Sequence, residues 1–180
     1  MVAERRPPLP YDFLPTVPPL TVTSDDIADG QPLANAHVAN EMGLTGENLS
    51  PHIRWADAPA GTQSFTVTCF DPDAPTGSGF WHWVLFDIPA SVNELARGAG
   101  SGSMEGLPKG ALHARNDAGA PGYVGAFPPP GHGDHRYVFA VSALSVPTLG
   151  LDATASPPFV GFNVTSNTVA RGLIVPLFGR

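Results

Sequence analysis

The sequence predicts a mainly β fold, and three observations carry that expectation. Twenty glycines and twenty-one prolines are spread through 180 residues, a density that suits turns and irregular loops better than long helices. Three runs, "QSFTVTCF", "HWVLFDI" and "HRYVFAVSAL", carry the two-residue period of a strand. Only one stretch, close to the end, is a good candidate for a full helix.

The opening "MVAERRPPLPYDFLPTVPPL" is rich in proline, which removes backbone donors and blocks helix. Residues 1–19 are therefore expected to form an extended arm that lies on the domain or reaches a neighbour, and residues 20–180 a single domain, as the chain length suggests. "LTVTS" from Leu20 and "IRWA" from Ile53 are short strand candidates. In "QSFTVTCF", Phe65, Val67 and Cys69 share one face, with Ser64, Thr66 and Thr68 on the other. In "HWVLFDI" the same period puts His82, Val84, Phe86 and Ile88 on a common side. "SVNEL" at Ser91 is read as one helical turn. Two long glycine-proline segments, 90–110 and 118–134, are loops of a length that is usually functional or disordered. In "HRYVFAVSAL", His135, Tyr137, Phe139 and Val141 point together and Arg136 points away. The helix is expected from Phe159 through "FVGFNVTSNTVARGLIV", with Phe162, Val169 and Leu173 in a buried stripe that Pro176 ends.

A net charge of −7 with no basic block argues against nucleic acid and anionic membranes as partners. No stretch approaches the roughly 20 apolar residues of a membrane span, and the opening lacks the apolar run of a secretory signal. The single cysteine, Cys69, cannot form an internal disulfide, which favours a reducing compartment. The expected location is the cytoplasm.

The chemistry concentrates in two segments. In "DPDAP", Pro72 and Pro75 stiffen the chain around Asp73, and the run leads through a glycine bend into "FWHWVLFDI", where His82 opens a strand. In "GYVGAFPPPGHGDHRYVF" a proline-glycine loop delivers His132, Asp134 and His135 to the start of another strand, with Tyr137 two residues on. Were the two strands close, Asp71, His82, His135 and Tyr137 would line one small pocket. Imidazole N–H groups, a tyrosine hydroxyl and turn amides all donate to oxyanions, so such a pocket suits a small anion. Asp71 would orient or charge a histidine, or accept a proton from a monoprotonated phosphate or an ammonium group. Binding is then expected to weaken between about pH 5 and 8 as the histidines lose their protons.

These two segments, in this order and spacing, resemble the phosphatidylethanolamine-binding protein family, most closely its bacterial branch of Raf kinase inhibitor-like proteins, from about Leu20 to the C-terminal helix. The resemblance implies two packed antiparallel sheets with a few short helices, and a pocket for phosphate-like anions. By motif it assigns Asp71, Ala74, Pro75 and His82 from the first segment, and Gly125, Pro128, His135 and Tyr137 from the second. Phe80 and Phe127 stand where bacterial relatives usually carry tryptophan and cysteine or glycine, and both are expected in the pocket wall. Arg136 matches the arginine of the family's "HRY"; since it faces away from the pocket, a structural pairing with Asp73 is expected.

The function expected is binding of a small anion or phosphorylated small molecule, with a regulatory role open and no cofactor. The alternative is an acid-base enzyme of cyclisation or isomerisation type using His82, His135 and Asp71. No GxSxG elbow, phosphate loop or dinucleotide fingerprint accompanies them. A metal site drawn from His132, His135, His82, His113 and Asp71 has weak spacing, and none is assigned. His37, His52 and His113 read as structural. A homodimer through the arm or the C-terminal helix, and a protein partner, are left open.

Overall fold

The computed structural model describes residues 6–180; the first five residues of the expected arm, Arg5 of its basic pair included, lie outside the described residues. Ten strands and one α-helix follow in order: β1 (Thr21–Thr23), β2 (Ile53–Ala56), β3 (Ser64–Asp71), β4 (Phe80–Pro89), β5 (Glu94–Leu95), β6 (Leu112–His113), β7 (His135–Arg136), β8 (Val138–Leu144), α1 (Pro157–Asn167), β9 (Thr168–Ile174) and β10 (Leu177–Phe178). Short 3-10 turns occupy Pro10–Phe13 and Asn35–His37.

The fold is mostly β, as expected. The largest sheet is antiparallel, with order β6-β4-β3-β8-β9; β1-β2-β5 form a second antiparallel sheet and β10-β7 a two-stranded ribbon. The main core lies between the first two sheets: Phe65, Val67 and Cys69 of β3 meet Ile53 and Trp55 of β2, with Leu85, Phe139 and Val141 beside them. β3 thus keeps the expected alternation. A smaller cluster on the opposite face packs Val160 and Val164 of α1 on Val84, Phe86 and Leu144. The edge strand β9 lies so close to β1 that a Cβ at Gly172 would meet the Leu20 carbonyl oxygen at 2.2 Å, a backbone approach that requires glycine.

Three local expectations are corrected. β4 does not keep one period: Trp83, Leu85 and Ile88 face the main core, Val84 and Phe86 the smaller one. Its pairing with β3 skips His82 and the Phe86–Asp87 pair, and Asp87 has φ +57°. Each irregularity adds a residue to one strand and so reverses the facing of the residues beyond it. "SVNEL" is no helical turn; Val92 N–H donates to the Pro89 carbonyl oxygen and the chain enters β5. The C-terminal helix is shorter than expected, ending at Asn167, after which β9 completes the sheet. Its last turns are closed by side chains, Asn163 Nδ2–H to Phe159 O, Asn167 Nδ2–H to Asn163 O and Thr168 Oγ1–H to Val164 O. The free edge of β8 then pairs with Thr168 and, past a bulge at Val169, with Ala170 onward, and the β-branched Thr168 and Val169 suit the extended backbone. Phe162, expected inside, is 69% exposed.

Among the described residues no helix is long and apolar enough to cross a membrane.

Candidate functional site

β3 delivers Asp71 at its last position, paired with Phe80 at the first position of β4. The connection is tied down locally: the Asp73 amide donates to Asp71 Oδ1 (2.8 Å), the Thr76 amide to the Ala74 carbonyl (2.8 Å) and Thr76 Oγ1 to the Gly79 carbonyl. Gly79 has φ +71°, and a Cβ there would meet the Phe70 ring at 2.3 Å, so the bend requires glycine. Asp73 faces away and takes two guanidinium N–H bonds from Arg136 (2.7 and 2.8 Å) and the Arg136 amide (2.9 Å). That pair clamps the β3–β4 turn onto β7. Burial opposes ionisation of Asp73, but the Arg136 guanidinium and amide outweigh it and hold the carboxyl below its ordinary range.

With the turn clamped, the two segments enclose a cavity of about 290 Å³. Asp71, Ala74, Pro75, Phe80 and His82 line one side, and Phe127, Pro128, His135 and Tyr137 the other. Asp71, His82, His135 and Tyr137 are all at most 2% exposed. The His82 bulge explains how a histidine preceding a core tryptophan can share that tryptophan's side of the strand.

The polar atoms are held in a definite order. His135 Nδ1–H donates to Asp71 Oδ2 at 2.6 Å, leaving its Nε2 to accept from Nδ1–H of the exposed His132 at 2.7 Å. Burial raises the Asp71 carboxyl above its usual range, while His135 and the Asp73 amide pull the other way. His82 Nδ1–H donates to the Val124 carbonyl at 2.8 Å, so Nε2 carries the lone pair. Burial pulls this imidazole down to about 4 against the Val124 carbonyl, and His82 is a neutral acceptor at physiological pH, contrary to the expectation of a charged donor. The buried Tyr137 hydroxyl makes no hydrogen bond to any described residue; burial, helped by Asp71, raises its pKa and keeps it a donor. The Phe127 ring stands edge-on to Phe80 (centroids 5.1 Å) and to His82 (5.4 Å), in the cavity wall as expected.

Gly125 alone of the assigned ligand residues is absent from the wall. Its amide donates to Asn48 Oδ1 (2.7 Å), and a Cβ there would meet Ala39 N and Val38 C at 2.4 Å, so its place is explained by backbone packing. His113 is also elsewhere, its Nε2 accepting from Trp83 Nε1–H at 2.9 Å. His52, read as structural, lies 2.9 Å from Glu94 Oε1. Sequence reasoning missed Arg180, which lines the cavity and donates to Pro128 O and Met42 O. No motif marks it; the pairing of β10 with β7 carries it there.

The family model for "Phosphatidylethanolamine-binding protein" matches residues 23–179. The chain is similar to the UPF0098 protein YbhB of Escherichia coli, 48% identical over 159 residues that cover 88% of this chain and 99% of the relative. It is 43% identical to YbcL of the same organism, over 87% of this chain and 86% of the relative. The crystal structure of YbcL, described as a member of the mammalian PEBP family, superposes with a TM-score of 0.87 at 42% identity, covering 89% of this chain and 98% of YbcL. A putative PEBP homologue from Chlamydia trachomatis, 23% identical, shares the fold with a TM-score of 0.75. Motif segments, sheet architecture and matched length agree, and the chain belongs to the phosphatidylethanolamine-binding protein family.

Proposed function

We propose that the chain binds a small phosphorylated anion in the cavity between the "DPDAP" and "HRY" segments. The observation that carries this reading is the Tyr137 hydroxyl, a buried donor without a partner in the cavity wall. A group of that kind costs about 1–3 kcal/mol while unsatisfied, and an anionic oxygen removes the cost with a charge-assisted bond. The Arg180 guanidinium adds positive charge at the rim. His82 Nε2 and the remaining lone pairs of Asp71 accept, so the best ligand brings a proton of its own: a monoprotonated phosphate monoester, or a phosphate joined to an ammonium as in an ethanolamine headgroup. The pH dependence then arises in the ligand. Affinity is highest while the phosphate keeps its second proton and falls above its pKa of about 6.

The test is thermal stability and calorimetric titration of wild type and Tyr137→Phe with phosphate, phosphoethanolamine, nucleotides and acetate. A ligand at about 100 times its Kd stabilises by roughly 2.7 kcal/mol. Wild-type stabilisation by a phosphorylated compound, weakened about tenfold in Tyr137→Phe, supports the proposal, since tenfold is the size of one such bond. Silence across the panel, or affinity untouched by Tyr137→Phe, overturns it.

The hydrogen-bonded chain Asp71–His135–His132 favours a second reading, acid-base catalysis, because it connects a buried carboxylate to an exposed imidazole. Turnover of a screened metabolite, abolished in His135→Ala, would establish it in place of simple binding.

A further inference from the structure

The opposite face of the large sheet carries a second and larger cavity, of about 460 Å³, roofed by α1 and by the Pro10–Phe13 turn. It arises because the floor residues there are small. Thr66 of β3 pairs with Ser142 of β8, which pairs with Arg171 of β9, so the three side chains form one row across three strands. Val160 and Val164 of α1 cover the sheet beside this row without filling the space above it. The resulting volume lies within the range typical of small-molecule sites, roughly 300–1,000 Å³.

The walls are apolar, with Trp81, Val84, Phe70 and Val160 among them. The floor row is not. Thr66 and Ser142 are 1% and 3% exposed, and both line the cavity in the same row as Arg171. The Arg171 guanidinium is half-buried and lies 5.7 Å from the centroid of the Tyr11 ring, and no carboxylate among the described residues pairs with it. Burial pulls its pKa down, with Tyr11 the opposing influence. Buried cations are ordinarily paired, and a planar guanidinium beside two hydroxyls matches the two oxygens of a carboxylate.

We propose that this groove is a second ligand site, for a carboxylate with an unbranched apolar tail. The head group sits on the Thr66–Ser142–Arg171 row and the tail runs under α1 along Val84 and Val160. Tyr11, whose hydroxyl lies 3.3 Å from Thr68 Oγ1, forms the part of the roof carried by the arm. This site is independent of the phosphate reading, since the two cavities share no lining residue.

Decanoate and decanol are the probes, titrated calorimetrically into the full chain. Wild type should bind decanoate about tenfold or more tightly than decanol, the size of one charge-assisted pair. Arg171→Met should erase that preference, Arg171→Lys should retain part of it, and Tyr137→Phe should leave it unchanged. A measurement on unaltered protein guards against a misfolded variant: ω-bromodecanoate should quench the fluorescence of Trp81, the one tryptophan lining this groove, and the quenching should vanish in Trp81→Phe. Equal affinity for the two probes overturns the proposal. So does weakening by Tyr137→Phe alone, which would put decanoate in the other cavity. Sedimentation showing a stable dimer that takes up no decanoate would assign the groove to a second copy of the chain and overturn it as well.

Discussion

The two faces of the five-stranded sheet each end beside a cavity, and the cavities are built in opposite ways. On the Tyr137 side, large and polar side chains converge: Asp71, His82 and His135 are buried and held by hydrogen bonds of 2.6 to 2.8 Å. On the α1 side, the space exists because Thr66, Thr68 and Ser142 are too small to fill it. The first cavity depends on hydrogen bonds that fix Asp71, His82 and His135, and removing Asp71 leaves His135 buried without its acceptor. The second depends on absent volume, so exchanges of small side chains should matter little to stability. The difference leads us to expect that hydrogen-bonded buried groups, more than cavity size, mark where this fold is sensitive.

Asp71→Ala should break this contrast most sharply. It strips both the His135 Nδ1–H and the Asp73 amide of their acceptor, at about 1–3 kcal/mol for each donor left unsatisfied; urea unfolding at pH 7 would measure it, and a loss below about 1 kcal/mol, the net worth of an ordinary hydrogen bond, would contradict the network. Next comes the acid limb of stability. The folded His82 resists protonation down to about 4, whereas an unfolded histidine titrates near 6.5. The unfolded state therefore binds more protons between those values, and stability present above pH 6.5 is lost as pH falls towards 4, by an amount on the order of 3 kcal/mol. Asp73, held below its usual range, adds loss of the same sign as pH falls through its folded pKa; Asp71, raised, works in the opposite sense. His82→Gln should flatten the slope, read from urea midpoints between pH 4 and 7, while His113, also drawn down to about 4 by burial, keeps its own contribution.

Gly125→Ala should have a smaller effect, about 1–3 kcal/mol, as overpacking usually does. Its Cβ would meet backbone atoms at 2.4 Å, which cannot swing aside. A melting temperature equal to wild type would mean that the loop can shift freely from Val38 and Ala39. Smallest of all, Thr68→Val on the α1 side removes only the long contact to the Tyr11 hydroxyl and should cost about 0.5 kcal/mol or less. A larger loss in thermal melts would show that the outer face is also a polar network, and would erase the contrast between the faces.

Much of the Tyr137-side cavity was legible because its residues sit in two stiff, proline-bracketed segments, and a two-residue period says which neighbours share a side. That reasoning placed Tyr137, Phe139 and Val141 together and turned Arg136 towards Asp73. It failed on β4, where bulges at His82 and Asp87 interrupt the period without any glycine to announce them. It failed again after Asn167, where "TVARGLIV" is compatible with a helix by apolar spacing and becomes a strand because β8 has an open edge. Of the α1-side cavity the period marked only the polar face of β3 that holds Thr66 and Thr68. Thr66, Ser142 and Arg171 belong to no motif, lie far apart in the chain, and meet only through strand register.

By itself the sequence determined the β character, the strands with unbroken alternation, and the two segments that carry the family resemblance, since all of these depend on near neighbours along the chain. Tertiary structure alone decided which tautomer His82 adopts, that Tyr137 keeps an unpartnered hydroxyl, and that Arg180 and the Thr66–Ser142–Arg171 row each face a cavity. Those outcomes depend on burial and on pairing between distant strands, and the free energy of a polar group is set by the partners it finds there more than by its place in the chain.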